Sequence, residues 1–298
     1  FPSDAEDRSP VAVAGLAALA YMAAGNTPDR GPHGAELARA VDYLLARVEL
    51  DPASPMHGLV GSPTDQLSVM HAHGYATLAL AEAFAMSPRS ERGRRLSEAV
   101  PAAVALIERT QGSEGGWYYH AKVDVQHEGS VTICLVQALR AARNAGVAVS
   151  ATVVDRAESY VRRSQHEDGS FRYQLGSDIR TPALTAAAIA TLNAAGRYSD
   201  PAIQSGIDAL WRGLDEREAE GGRSAYPYYE RLYVAQALWQ LDDTSQFERW
   251  FAAELELLLE EQRPDGSWRH RRFGDAYATA MTCLVLAMPD GLLPIFQR

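Results

Sequence analysis

The sequence is poor in lysine, in cysteine and in long apolar runs. Lys122 is the single lysine among 28 basic residues, and the two cysteines, Cys134 and Cys283, lie in apolar helical patterns without metal-ligand spacing. We therefore expect buried free thiols. No apolar run reaches the roughly 18 residues that a membrane helix needs. The chain begins without Met or a recognisable signal peptide, so we expect a trimmed or mature soluble protein of unknown compartment.

Several function classes lack their sequence signatures. The net charge of −10 argues against nucleic acid as a partner, because phosphates require a basic face. There is no nucleophile elbow, phosphate loop or dinucleotide fingerprint, so no cofactor is expected. His71 and His73 are two residues apart on a predicted helix and point in nearly opposite directions. One loop could gather a metal through His120, Asp124 and His127, but ordinary polar loop residues are the preferred interpretation, and we expect no zinc.

Helical periodicity runs through almost the whole chain, while alternating strand patterns are scarce. Helices that are apolar on all sides alternate with helices that carry charge on one face, as inner and outer helices do. The inner helices recur every 45–60 residues, which predicts a repeat architecture. We expect one all-α domain over residues 1–298, an (α/α)6 toroid whose apolar C-terminal tail meets the first helix at the seam. The predicted helices are 10–25, 33–48, 65–86, 89–110, 129–145, 150–164, 180–196, 199–213, 227–241, 244–262 and 275–287.

A short motif occurs three times: a glutamine, a glycine four residues later and an aromatic residue six residues later. We predict that it ends an outer helix, with the glycine in the turn, the aromatic side chain buried between helix ends and the glutamine amide bonding backbone groups of two helices. The copies are Gln111/Gly115/Trp117, Gln165/Gly169/Phe171 and Gln262/Gly266/Trp268. Residues 48–60 and 211–222 are degenerate copies.

These motifs resemble the repeat of the squalene cyclase and protein prenyltransferase superfamily, and the chain resembles uncharacterised bacterial members of that group. The resemblance implies a toroid whose central cavity holds an isoprenoid. It does not carry the chemistry over, because the Asp-x-Asp-Asp acid of the cyclases is missing and the nearest segment is Asp242-Asp243. The prenyltransferase zinc histidine is replaced by Ala278, so a zinc-dependent protein prenyltransferase is not expected.

Alignment of the inner helices predicts a polar ring at their N-terminal ends, with a second layer two residues deeper. Helix capping alone would explain the acidic residues and the threonine. A histidine and an arginine are poor caps, and their presence favours a ligand-binding site at this end of the toroid. The polar ring is His73, Glu128, Thr181, Arg231 and Asp275, and the deeper layer is Tyr75, Ser130, Tyr233 and Tyr277.

Two functions of different class remain open. The first is a terpene cyclase-like isomerase or lyase, in which Asp275 is the catalytic acid and Glu128 its charged partner. The second is a non-catalytic toroid that binds a small apolar ligand or another partner; a glycan-active toroid is a further alternative. The expected ligand-binding residues are His73, Tyr75, Tyr226, Tyr229, Arg231, Tyr233 and Tyr277. Small inner residues such as Ala76 and Ala280 leave room for a ligand or else allow close helix packing.

Overall fold

The computed structural model describes residues 9–62, 65, 68–87 and 90–297. Within these residues all the named elements are helical, and the predicted helices are present with ends shifted by a few residues. No helix in the described part of the chain has the length and apolarity to cross a membrane. The α-helices are α1 (Pro10–Ala23), α2 (Gly34–Leu45), α3 (Val69–Met86), α4 (Glu91–Arg109), α5 (Gly129–Asn144), α6 (Ala151–Arg163), α7 (Pro182–Ala194), α8 (Pro201–Ala219), α9 (Pro227–Trp239), α10 (Ser245–Glu261) and α11 (Asp275–Leu286).

The odd-numbered helices form a closed inner ring. Each contacts the next odd-numbered helix, and α11 contacts α1, so no end of the array is left open. These helices are buried on nearly all sides, whereas α6 buries one stripe made of Val153, Ala157, Tyr160 and Val161. Each inner helix leads into an outer helix through a shorter connection, such as residues 195–200, and each outer helix returns to the next inner helix through a longer one, such as residues 110–128. The N-terminal ends of the inner helices therefore lie at one mouth of the toroid. The expected all-α toroid is confirmed, with six inner and five outer helices among the described residues.

Small residues allow the inner helices to approach closely. A Cβ atom on Gly15 would lie 2.8 Å from the backbone of Tyr75, and one on Gly74 would lie 2.8 Å from Cys134 Sγ. The small inner alanines are at most 2% exposed. Of the two roles considered for these residues, close helix packing is the one observed. The alanines are Ala76, Ala79, Ala186, Ala187, Ala190, Ala235 and Ala280.

The repeated motif joins neighbouring outer helices through side-chain to backbone bonds. Gln111 Nε2 donates to Gly115 O at 2.8 Å and to Val153 O of α6 at 2.9 Å. Gln165 repeats this with Gly169 O at 3.0 Å and Ala202 O of α8 at 2.9 Å, whereas Gln262 donates to Gly266 O at 3.1 Å. The oxygen of Gln111 accepts no bond within the described residues, so the expected acceptor role of the amide is not observed there.

The aromatic members of the motif are buried at the junction of two helices. Trp117, Phe171 and Trp268 are each at most 3% exposed. The indole nitrogen of Trp117 donates to Ile107 O at 2.9 Å, and that of Trp268 donates to Leu258 O at 2.8 Å. The preceding glycines adopt positive φ, and a Cβ on Gly115 would lie 2.3 Å from Arg156 O, so only glycine fits this turn.

The C-terminal tail lies across the C-terminal ends of the inner helices. α1 and α11 close the seam directly, and Leu292 of the tail lies beside Gly25, just after α1. Ile295 N–H donates to the Glu82 carboxylate of α3 at 3.0 Å, and Arg140 of α5 donates to Gln297 O at 2.7 Å. Ile295 and Phe296 are buried there. The tail therefore covers the end of the toroid opposite the mouth.

Candidate functional site at the N-terminal mouth

Two tyrosines meet across the axis of the toroid and define the floor of the mouth. Tyr75 of α3 and Tyr233 of α9 come from opposite sides of the inner ring, and their hydroxyls lie 3.3 Å apart. Both are at most 5% exposed. Further along the axis, Gln137 and Gln236 are hydrogen-bonded in a second layer. Side chains therefore occupy the axis at these two layers, so the expected open central cavity does not run through them.

Four side chains above this floor keep part of their surface accessible. His71 and Tyr229 lie one helical turn nearer the mouth than Tyr75 and Tyr233, on the same helices. Ser130 and Tyr277 complete the walls from α5 and α11. We call the six residues His71, Tyr75, Ser130, Tyr229, Tyr233 and Tyr277 the axial site. It is a largely aromatic surface, with rings of Tyr229 and Tyr233 centred 4.5 Å apart.

The carboxyl of Glu128 is buried directly beside the axial site. It precedes α5 and caps it, since its oxygens accept from Ser130 N–H at 2.9 Å and Val131 N–H at 2.7 Å. The Ser130 hydroxyl lies 2.7 Å from both carboxyl oxygens. Burial raises the pKa of Glu128 to about 7, although the hydrogen bonds from Ser130 and Val131 favour the ionised form. The carboxyl is thus divided between its two protonation states near neutral pH.

His71 connects this carboxyl to a second serine. Its Nε2 lies 3.1 Å from Ser130 Oγ and its Nδ1 lies 2.9 Å from Ser68 Oγ. Burial lowers the pKa of His71 to about 4, so the ring is neutral at pH 7. When Ser130 donates to Glu128, its free lone pair accepts from Nε2–H, and Nδ1 accepts from Ser68. The result is a continuous chain of hydrogen bonds from Ser68 to Glu128.

Aromatic and basic residues lie around the axial site at the mouth of the toroid, and we call them its rim. Tyr226 is 43% exposed, and its ring is stacked on Phe273 at 6.2 Å. The Arg272 guanidinium lies over the same two rings, at 5.6 and 5.1 Å. On the other side, the hydroxyls of Tyr119 and Tyr173 are hydrogen-bonded to each other. The predicted ligand residue Tyr226 thus belongs to the rim and not to the floor.

The surroundings of the two carboxyls are the reverse of those predicted. Asp275 pairs with Arg263 at 2.6 Å and accepts from His270 N–H at 3.1 Å, so it faces the end of an outer helix. Glu128 has no arginine partner among the described residues, and it is near enough to Tyr119, Tyr160 and Tyr229 to add to the effect of burial in raising the pKa of their hydroxyls. The prediction of Asp275 as the acid and Glu128 as its charged partner was therefore wrong about their surroundings. The sequence neighbours of Asp275 did not reveal Arg263.

His73 and Arg231 do not face the mouth either. His73 Nδ1 accepts from Val60 N–H at 3.1 Å and Nε2 donates to Ala103 O of α4 at 3.2 Å, so the side chain joins inner and outer helices. Arg231 pairs with Glu254 at 2.6 Å and Glu261 at 2.7 Å, both on α10. The expected polar ring of five charged or polar side chains is therefore not assembled.

The start of α3 explains why His71 was missed. In the repeat alignment His73 corresponds to Glu128, which caps α5, but α3 begins four residues earlier, at Val69. His73 is therefore already inside the helix and faces outwards, while His71, two residues before it, faces the axis. Thr181, the fifth member of the predicted ring, caps α7 by accepting from Leu184 N–H at 3.2 Å.

The remaining polar candidates have local structural partners. His127 Nδ1 lies 3.1 Å from the Tyr160 hydroxyl, and Asp124 lies 3.5 Å from the Lys122 ammonium. No group of three potential metal ligands occurs among the described residues. Asp243 accepts from Ser245 at the start of α10, which is the end of the toroid opposite the axial site.

Solved structures of a type II terpene cyclase have the same architecture. The type II terpene cyclase MstE from Scytonema, without ligand, superposes with a TM-score of 0.57 and 17% identity, covering 98% of this chain and 92% of that chain. A substituted form in complex with merosterolic acid A (product) gives a TM-score of 0.57 at 18% identity, covering 98% and 90%. Another, in complex with geranylgeranyl dihydroxybenzoate (substrate), gives 0.55 at 18%, covering 97% and 90%.

This chain has a terpenoid cyclase-like fold. No family model and no curated protein matches its sequence. The resemblance to the cyclase repeat is therefore confirmed at the level of the toroid. At this identity, the likeness defines the architecture of the terpenoid cyclase-like toroid and leaves its chemistry to be argued from the axial site.

Proposed function

We propose that this terpenoid cyclase-like toroid binds the apolar chain of an isoprenoid at its N-terminal mouth. The observation that carries the proposal is the axial site, where tyrosines on three inner helices line the axis and Tyr229 and Tyr277 keep part of their surface accessible. Burial raises the pKa of the Tyr75, Tyr229 and Tyr233 hydroxyls, so these residues are neutral at pH 7. Neutral aromatic walls provide the apolar contact area that an unsaturated hydrocarbon chain requires. The isoprenoid complexes of the structural neighbours support the ligand class.

The Tyr75–Tyr233 floor limits the length of ligand that the site accepts. Tyr233 lies six residues after the start of α9, which corresponds to a depth of about 9 Å along the helix. A long isoprenoid therefore inserts only one end, and the rest of its chain contacts the rim formed by Tyr226 and Phe273. A ten-carbon isoprenoid is a suitable first probe.

Glu128 is the group that would supply a proton if the bound ligand reacts. Below neutral pH its carboxyl is mostly protonated, because its pKa is about 7. The same raised pKa makes it a weak acid, which suits transfer to an oxygen atom better than transfer to an isolated alkene. Asp275, paired with Arg263, has no part in this proposal.

Binding without catalysis is the second candidate function. It is favoured by the complete burial of Glu128, which keeps the carboxyl from touching a ligand directly. A glycan-cleaving function has less support, because it requires two facing carboxyls. Here the second expected carboxyl, Asp275, is directed towards Arg263.

The binding proposal is tested with geraniol and purified protein, by isothermal titration calorimetry and native mass spectrometry. We expect one geraniol per chain, and about tenfold weaker binding by Tyr229→Ala, which removes one aromatic wall. Tyr198→Ala is the matched control, because Tyr198 lies at the opposite end of the toroid beside Arg140. The absence of binding, or equal weakening by both substitutions, would refute the proposal.

A further inference from the structure

Exposed apolar side chains are distributed unevenly over the toroid. Of the eight large hydrophobic residues that are exposed in the described part of the chain, five lie on loops that lead from an outer helix to the mouth end of an inner helix. At the opposite end only Leu292 is exposed among the described residues, and the other two are on the outer helix α10. Single exposed apolar residues are ordinary, but this difference distinguishes the mouth from the opposite end. The five are Met56, Val123, Val125, Ile179 and Tyr226.

Four neighbouring loops join into one surface at the mouth. The loop before α5 contacts the loop before α7, because the hydroxyls of Tyr119 and Tyr173 are hydrogen-bonded. Burial raises the pKa of the Tyr173 hydroxyl, and Tyr226, from the loop before α9, is near enough to add to the effect. Tyr226 is stacked on Phe273 of the loop before α11. We define the mouth patch as the apolar residues of these four loops, Val123, Val125, Ile179, Tyr226 and Phe273.

The aliphatic members of the mouth patch stand out singly from the surface. Val125 is 80% exposed and Ile179 is 61% exposed. Asp124 precedes Val125, and Asp178 precedes Ile179, so charged residues interrupt the apolar surface. A protein partner usually covers a contiguous apolar centre with a polar rim. A fluid bilayer can accept such side chains one at a time, so their arrangement suits lipid better than a protein surface.

The loop before α11 adds positive charge to this face. Residues 262–274 contain four arginines and one aspartate, in a chain with a net charge of −10. Arg263 pairs with Asp275, whereas three exposed arginines make no ion pair within the described part of the chain. Glu167 and Asp178 are exposed on the loop before α7, so attraction for anions is confined to the side of α9 and α11. The three arginines are Arg269, Arg271 and Arg272.

Two aromatic residues of the mouth patch accompany these arginines. The Arg272 guanidinium lies over the rings of Tyr226 and Phe273, and it donates to the Tyr226 hydroxyl at 3.3 Å. Aromatic side chains with a polar end are favoured at the headgroup level of a membrane, where the ring meets apolar chains and the polar atoms meet water. The α9 and α11 side of the mouth therefore has the composition of a headgroup contact.

We infer that the mouth face of the toroid binds the surface of a lipid bilayer that contains anionic phospholipids. Val123, Val125 and Ile179 enter the boundary of the acyl chains, and the arginines of the loop before α11 contact phosphate groups. Attachment through a few side chains is reversible. This binding does not depend on the proposed isoprenoid binding. It turns the axial site towards the bilayer, so an apolar ligand dissolved in the lipid would meet the site without crossing water.

Vesicle co-sedimentation tests the apolar contact. Purified protein is mixed with vesicles of phosphatidylcholine, either alone or with phosphatidylglycerol, and we expect binding to the mixed vesicles. Val125→Asp and Ile179→Asp should each weaken it about tenfold, because a carboxylate opposes insertion and is repelled by anionic lipid. Leu259→Asp is the matched control: Leu259 is 58% exposed, but it lies on α10. It should keep the affinity of the unmodified protein.

Arginine substitutions test the electrostatic contact. Arg269→Gln, Arg271→Gln and Arg272→Gln should each weaken binding to the mixed vesicles about fivefold. The control is Arg143→Gln, because Arg143 is exposed in the last turn of α5, at the opposite end of the toroid. The unmodified protein should bind vesicles of phosphatidylcholine alone more weakly than the mixed vesicles.

Each alternative has a distinct outcome. Absence of binding to both vesicles would overturn the inference and leave isoprenoid binding, which is measured with free geraniol, untouched. Equal weakening by Val125→Asp and Leu259→Asp would show that the mouth patch is not the contact. Equal affinity for the two vesicles would overturn the role of the arginines. A dimer that Val125→Asp dissociates, together with no vesicle binding, would assign the mouth patch to a second copy of this chain.

Discussion

Replacement of Trp117 tests how much the repeated motif stabilises the toroid. The side chain is 1% exposed, and its indole nitrogen donates to Ile107 O of α4 at 2.9 Å. Truncation to alanine removes the buried ring, leaves a cavity and leaves the Ile107 carbonyl without this hydrogen bond. Changes of this kind cost about 3–5 kcal/mol. Since whole domains are stable by about 5–15 kcal/mol, we expect a marked but tolerable loss.

Trp117→Phe separates the packing of the ring from its hydrogen bond. It keeps most of the buried aromatic surface and loses only the N–H donor, so we expect a loss of about 1 kcal/mol. Phe171, which is fully buried at the equivalent position of the next repeat, shows that phenylalanine fits such a site. The expected order of stability is therefore unmodified protein, Trp117→Phe, and then Trp117→Ala.

Urea unfolding followed by circular dichroism measures these free energies of unfolding. In thermal melts, an entropy of unfolding of about 2.1 cal/mol/K per residue converts the alanine loss into a decrease in Tm of about 5–8 °C. Equal destabilisation by phenylalanine and alanine would show that the hydrogen bond, and not the buried ring, supports the junction. An alanine variant within about 1 kcal/mol of the unmodified protein would refute the packing argument altogether.

Three further predictions concern stability. Burial raises the pKa of Glu82 to about 7, so the stabilisation that the protonated carboxyl provides is complete below pH 4.5 and is lost as the pH rises through 7. Relative to Glu82→Gln, the free energy of unfolding should fall by up to roughly 3 kcal/mol between pH 5 and 8. Parallel stability curves for the two proteins would contradict this. His73→Phe leaves Val60 N–H and Ala103 O without their side-chain hydrogen-bond partner, so the free energy of unfolding in urea should fall by about 2–4 kcal/mol. An unchanged free energy of unfolding would refute the structural role of His73. Gly115→Ala should destabilise the protein more than Gly146→Ala. Both glycines have positive φ, but a Cβ on Gly115 would lie 2.3 Å from Arg156 O, whereas one on Gly146 would meet no atom within 4 Å. Equal melting temperatures for the two variants would contradict the clash.

The tyrosines of the candidate site could be recognised from the sequence, but its hydrogen-bonded polar residues could not. Repeat alignment placed Tyr75, Tyr233 and Tyr277 in one layer, and the structure brings them to the axis. The alignment also grouped Ser130 with them, although α5 carries a serine where these three helices carry tyrosine. His71 could have been found from its position one turn before Tyr75, on the same face of α3. Nothing in the sequence indicated that it would contact Ser130, which is 59 residues away.

The sequence by itself determined the helices, their inner and outer types and the turns of the repeated motif. These depend on local periodicity, on glycines such as Gly115 that alone accept positive φ, and on side chains that bond to nearby backbone. The tertiary structure decided which polar groups share an environment. Glu128 and Asp275 occupy similar repeat positions, yet one is buried among tyrosines and the other is paired with Arg263. Burial and ion pairing depend on residues that only the closure of the toroid brings together, and these contacts decide which carboxyl is buried without a cationic partner and which is ion-paired.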